Sequence, residues 1–225
     1  DPDRLALYHY AHLPHIFKPQ RRIDTNVVPG SEEKLDMLQY CVQTLTERGY
    51  VFIGMDHFAK PDDELSIALK EGFLQRNFQG YSTYADCDLV AIGVSSIGKI
   101  GSTYSQNERD IDAYYAALDA GHLPIMRGYQ LNQDDILRRN IIQDLMCRFS
   151  LDYRIYESVF GIPFSRYFAA ELEDMKQLET LGLVRLKPHS LTVTPKGRFL
   201  IRNIAMVFDY HLRHKETKAK YSQTV

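Results

Sequence analysis

The stretch Gly49–Leu65, "GYVFIGMDHFAKPDDEL", decides the fold. Tyr50 to Gly54 is a short apolar run between glycines, the pattern of a buried strand. Asp56 and His57 follow at once, then a turn at Pro61. Asp62 to Glu71 has an acidic start and reads as a helix. Upstream, Ser31 stands as an N-cap before Glu32 and Glu33. Leu35, Leu38, Val42 and Leu45 then repeat at helical spacing up to Gly49. Leu5 to Ala11, "LALYHYA", reads as another buried strand, closed by "HLP". Strand, loop, helix, strand is a βαβ unit, which implies parallel strands. Polar residues at the exit of such a strand are where α/β proteins place ligands. Asp56 and His57 are therefore candidate cavity residues. The plainer alternative is that Asp56 only caps a turn.

Downstream, Leu89 to Gly98, "LVAIGVSSIG", reads as a strand and a small-residue turn, and Glu108 to Ala120 as a helix ended by Gly121. The grammar changes near Leu131. Asp134 to Phe149 and Ser165 to Leu181 are amphipathic helices. "GLVRLKPHSLTVTPKG" alternates around Pro188-His189-Ser190 as a hairpin, and Arg198 to His211 is a closing helix. The tail after His211 is basic and polar and is expected to fray. The expected fold class is α/β, with residues 1–130 as one unit and residues 131–225 as a small, mostly helical, winged-helix-like domain.

Composition narrows the classes. With 225 residues there is room for one large domain or a medium one with a small partner. Lys plus Arg is 27 and Asp plus Glu is 29, so the net charge is −2. That balance gives no global electrostatic footprint for nucleic acid or an anionic membrane. No stretch approaches the ~20 apolar residues of a membrane helix, and the expectation is a cytoplasmic protein. Cys41, Cys87 and Cys147 lie far apart, which is neither a disulfide framework nor a thiolate metal motif. The chain starts at Asp1 without an initiator Met, as expected of a piece of a longer protein.

Other signals are local. His9, His12 and His15 are spaced by three, but His9 sits in a strand pattern and Pro14 interrupts the run, so loop histidines are expected rather than a metal site. Asp56-His57 has no serine or cysteine in an elbow context, which argues against a hydrolytic triad. "RNFQGYSTY", Arg76 to Tyr84, is too long to be only a connector. Arg76 suits a carboxylate, Gln79 can give and take a hydrogen bond, and Phe78 and Tyr81 offer flat surfaces. "GVSSIG", Gly93 to Gly98, lets backbone approach a ligand but lacks dinucleotide or P-loop spacing. Glu171, Glu173, Asp174 and Glu179 on the helix Ser165–Leu181 would repel phosphate, against a DNA-binding reading of the winged-helix unit.

Together, "HYAHLP", "GYVFIGMDHFAKPDDEL", "RNFQGYSTYADCDLVAIGVSSIG", "RFSLDY" and "TPKGRFLIRNIAMVFDYHLR" closely resemble the oxygen-independent coproporphyrinogen III oxidases, radical S-adenosylmethionine enzymes of haem biosynthesis. The resemblance covers essentially the whole chain and the carboxyl-terminal half of those enzymes. It implies the carboxyl-terminal part of a partial parallel (β/α) barrel followed by the small helical domain. It implies oxidative decarboxylation of coproporphyrinogen III to protoporphyrinogen IX, with S-adenosylmethionine and a [4Fe–4S] cluster as cofactors. External electron donors and acceptors are implied too, with a monomer at full length and no nucleic-acid or membrane partner. By position, Ala11 would touch the S-adenosylmethionine adenosine through its backbone, Ile97 would pack near the adenine, and Gln79 would face the cavity. Asp56, His57, Arg76 and Tyr81 are substrate-cavity candidates on their strand-end and loop positions, since a tetracarboxylate tetrapyrrole needs cations and aromatics.

The family's C-x3-C-x2-C cluster motif and its glycine-rich S-adenosylmethionine segment are absent from these residues. Three thiolates close together are needed to hold such a cluster, so its ligands are expected upstream. The isolated chain is expected to be inactive. Two other readings compete: a non-enzymatic haem or tetrapyrrole carrier, and a winged-helix interaction module.

Overall fold

A computed structural model describes residues 1–84 and 87–214. The amino-terminal part runs β1 (Arg4–Ala6), α1 (Ser31–Glu47), β2 (Val51–Gly54), β3 (His57–Ala59), α2 (Glu64–Glu71), β4 (Gln75–Asn77) and β5 (Gly80–Ser82). Next come β6 (Ile97–Ile100), β7 (Thr103–Asn107), α3 (Ile111–Asp119) and β8 (Ile125–Gln130). The remainder is α4 (Gln133–Arg148), β9 (Ser150–Asp152), α5 (Tyr153–Phe160), α6 (Phe164–Tyr167), α7 (Ala169–Thr180), β10 (Val184–Lys187), β11 (Ser190–Val193), α8 (Pro195–Phe199), α9 (Ile201–Met206) and α10 (Tyr210–Arg213).

The parallel reading is corrected at the opening stretch. Phe58 and Ala59 continue as a strand, and His57 is its first residue. Only Met55 and Asp56 separate β2 from β3, so the two can pair only as an antiparallel hairpin, because a parallel crossover needs about a dozen residues or more. Met55 makes the turn at φ 54 after Gly54 at φ 156. β1 also pairs antiparallel with β3, giving the order β1-β3-β2. β1 and β2 therefore run in the same direction, as a βαβ unit requires, but β3 lies between them. Every strand pairing among the described residues is antiparallel, and no closed barrel is present there.

Other boundaries move for local reasons. β1 ends at Ala6, and residues 7–13 follow without regular structure. Gly30 is the N-cap of α1 and Ser31 its first residue. Asp63 caps α2 by accepting from Leu65 N at 2.8 Å. The strand expected at Leu89 is a single bridge to Lys99, and β6 begins at Ile97. The helix expected over 198–211 is three short pieces, broken where Leu200 leaves helical geometry (φ −112) and again before Asp209 caps α10. The tail past α10 falls on residues 215–225, outside the described residues.

The carboxyl-terminal elements follow the expected order, with β9 as an added third strand in the sheet β10-β11-β9. Asn132 and Asp135 form a reciprocal capping box at the start of α4. On α7 Glu171 is not a surface acid: it is buried and paired with Arg138 at 2.8 Å.

One hydrophobic core runs through both parts of the chain, from Ile53 and Leu74 through Ile141 and Leu145 to Phe164, Leu191 and Phe208. The sheet β6-β7-β8 and α3 contribute no residue to it, and β8 is exposed along its whole length. No helix among the described residues is long and apolar enough to cross a membrane.

Candidate functional site

The β2–β3 turn places Asp56 and His57 side by side. Asp56 Oδ1 lies 2.6 Å from His57 Nδ1, and both side chains are mostly buried. Burial pushes the Asp56 carboxyl up, but the hydrogen bond and charge of His57, with Arg202 behind, outweigh it and hold Asp56 below its ordinary range. An ionised carboxylate only accepts, so Nδ1 carries the hydrogen and Nε2 is the nitrogen left free of Asp56. That nitrogen faces Gly80: a Cβ there would stand 3.2 Å from it. Gly80 sits at φ +124, so both backbone and space favour glycine. The Asp56 carbonyl accepts from Leu7 N at 2.8 Å, which ties the turn to the amino-terminal segment.

The β4–β5 hairpin supplies the neighbours. Tyr81 meets the His57 ring edge-on, with centroids 5.3 Å apart. Its hydroxyl donates to the Met146 carbonyl at 3.1 Å, and burial pushes its pKa up. Arg76 is the cross-strand partner of Tyr81, with its guanidinium 5.9 Å from the ring centre. Asp56, His57, Tyr81 and Arg76 thus form one continuous chain of contacts. Burial pushes the nearby Cys147 thiol up to about 12, so it stays protonated and offers no nucleophile. The arrangement can orient and hydrogen-bond a ligand.

Arg198 of α8 fixes this turn from behind. Its Nη2 donates to the Phe52 carbonyl at 2.7 Å, and its guanidinium lies 4.3 Å from the Phe149 ring centre and 5.1 Å from that of Phe52. Burial pulls its pKa below the usual arginine range.

The residues chosen for S-adenosylmethionine do not join that chain. Ala11 is exposed, and its carbonyl accepts from Gln20 Nε2 at 3.1 Å. Gln79 is exposed in the β4–β5 turn, with its backbone N–H donating to Asn77 Oδ1 at 2.8 Å. Ile97 is half-buried and pairs with Gln106 across β6–β7. No hydrogen bond links these three to one another. A [4Fe–4S] cluster does not fit. Cys41 is half-buried on α1, Cys87 is exposed and Cys147 is buried, and no group of three candidate metal ligands occurs among the described residues. His9, His12 and His15 belong to no such group.

Beside Arg76 opens a cleft of about 1170 Å³ between the β4–β5 hairpin, the edge of β6–β7, and helices α4, α5 and α10. Of the seven sequence candidates only Arg76 lines it. Phe78, Lys99, Tyr104, Arg139 and Tyr156 line it too. Arg139 was not singled out in the sequence. Its only signal is the doubled arginine of "LRRN", in which Arg138 turns inward to Asp134 and Glu171 while Arg139 turns to the cleft.

Residues 131–200 match the HemN C-terminal domain. The whole chain is 46% identical to oxygen-independent coproporphyrinogen III oxidase of Salmonella typhimurium and covers 49% of its length. It is 50% identical over 94% of its length to the enzyme of that name from Pseudomonas aeruginosa, covering 46% of that protein. The solved structure of the Escherichia coli coproporphyrinogen III oxidase, described as a radical SAM enzyme, superposes with a TM-score of 0.89 at 47% identity, over 94% of this chain and 49% of that one. The chain spans about half the length of these relatives.

Proposed function

On the premise that this chain belongs with the oxygen-independent coproporphyrinogen III oxidases, whose carboxyl-terminal half it matches, we propose that it is the corresponding part of an enzyme that oxidatively decarboxylates coproporphyrinogen III to protoporphyrinogen IX. Each of two propionates becomes a vinyl group and releases carbon dioxide, one proton and two electrons. In this reading S-adenosylmethionine and a [4Fe–4S] cluster, ligated outside these 225 residues, supply the oxidising chemistry. External donors and acceptors carry the electrons. The site of action is the cytoplasm, the full-length protein is a monomer, and there is no nucleic-acid or membrane partner.

Within that enzyme residues 1–130 are the carboxyl-terminal part of the barrel and residues 131–225 a winged-helix-like unit. Ala11, Gln79 and Ile97 complete an S-adenosylmethionine site whose remainder lies outside this chain. Arg76 offers a charged fork to a substrate carboxylate, and Tyr81, His57 and Asp56 back it from behind the cavity wall as a chain of contacts.

The observation that carries the proposal is the whole-length match in sequence and fold to half of one enzyme. The test is an anaerobic assay of the full natural polypeptide containing these residues, with S-adenosylmethionine, reductant and coproporphyrinogen III. Release of two molecules of carbon dioxide per protoporphyrinogen IX formed is expected. Absence of product from a protein loaded with its cluster would overturn the reading. The 225-residue chain alone should bind no iron in stoichiometric amount and give no product.

A further inference from the structure

Two guanidiniums in the cleft beside the β4–β5 hairpin have donors that meet no protein acceptor. Arg76 Nε and Arg139 Nη1 are both buried and unpartnered. They share one wall. Gln143 Nε2 donates to the Arg76 carbonyl at 3.0 Å, and Arg139 stands one helical turn before Gln143 on α4. The third arginine of the cleft, Arg138, is already engaged by Asp134, Glu171 and the Phe208 carbonyl.

The acids of the cleft are engaged as well. Asp135 takes His211 and Tyr129, Asp144 takes Tyr156 and Arg148, Asp209 caps α10, and Asp88 accepts from Gly101 N. Among the side chains lining the cleft, Arg76 Nε and Arg139 Nη1 are thus the buried polar atoms that lack a protein partner. Phe78 and Tyr104, which line the same cleft, meet edge-on at 5.7 Å and present an aromatic wall. A cavity of about 1170 Å³ is larger than most drug-sized sites, so it suits a large ring.

We propose that this cleft receives the tetrapyrrole, with Arg76 and Arg139 taking the carboxylates of neighbouring propionates and Phe78 and Tyr104 facing the ring. The inference rests on the substrate class proposed above and assigns Arg139, which that reading does not. A guanidinium fork matches a carboxylate in two parallel hydrogen bonds, which a lysine cannot reproduce.

The test is equilibrium binding of coproporphyrin III, the air-stable oxidised ring with the same four carboxylates, to the 225-residue chain, followed by porphyrin fluorescence. R76Q and R139Q should each weaken binding about tenfold or more, the scale of a lost charge-assisted bond. R154Q removes a surface cation paired only with Asp152, and should leave affinity unchanged at equal net charge. R139K keeps the charge without the fork and should recover binding only in part. It also serves if R139Q lowers the unfolding midpoint too far to measure. Equal affinity in all variants would overturn the proposal and leave the enzyme reading standing. Failure of the wild-type chain to bind the porphyrin would overturn it too, while the turnover assay of the full polypeptide decides the enzyme reading separately.

Discussion

At Gly80 one missing methyl group keeps His57 in place. G80A would put a Cβ 3.2 Å from His57 Nε2 on a backbone at φ +124. The expected cost is about 1–3 kcal/mol of stability from strain alone, read as a lower denaturant midpoint. A G80A protein as stable as wild type would show that the close approach constrains nothing. Asp56 predicts a pH signature. Its folded-state pKa lies below the ordinary 3.8, so its contribution is fully present above that pH and is lost as pH falls through the folded value. Wild type and D56N should therefore differ in unfolding midpoint near neutrality and converge only as pH falls below 3.8 through the folded value. The residue types were legible in the sequence, but not their contacts: Asp56, His57, Tyr81 and Arg76 touch one another in series because a hairpin turn, and no parallel strand exit, carries the first two. Arg139 was not legible. In "LRRN" only the rotation of α4 says which arginine is used inside and which faces the cleft, and that rotation is set by Leu137, Ile141 and Leu145 entering the core.

Among the elements, α4 and α8 hold the site together. N132A removes one arm of the capping box and should cost about 1 kcal/mol, seen as a lower midpoint with unchanged fold. Arg198 has the larger reach. R198M leaves the Phe52 and Ile53 carbonyls without their donor, a loss of about 1–3 kcal/mol. Amides around Gly54–His57 should then exchange faster with solvent than in wild type, while those of β10–β11 stay protected. Element types were largely readable from period and caps. Pairing was not, because the two residues between Gly54 and His57 look like a loop until Phe58 and Ala59 are recognised as strand. The closing helix shows the same limit: Ile201, Ile204, Ala205 and Phe208 keep helical spacing and are all buried, yet a break at Leu200 leaves that spacing intact.

Over the whole molecule, protection should follow the core. The continuous core predicts one cooperative unfolding transition for the parts it joins, with the sheet β6-β7-β8 exchanging its amides earlier because it contributes nothing to that core. Hydrogen exchange resolved by segment checks this, and equal protection of β8 and β11 would contradict it. The sequence suggests a change of grammar near Leu131, yet one core joins the elements on both sides of it. That shared core was not legible, since which apolar faces meet is a matter of tertiary contact. The Arg198 clamp carries this further. A survey of random variants of the full polypeptide, scored only on the proposed reaction, would mark α8 as sensitive, though no ligand need touch it. The inactive variants there would look like active-site lesions until their stability was measured, because what they loosen is the hairpin that carries Asp56 and His57.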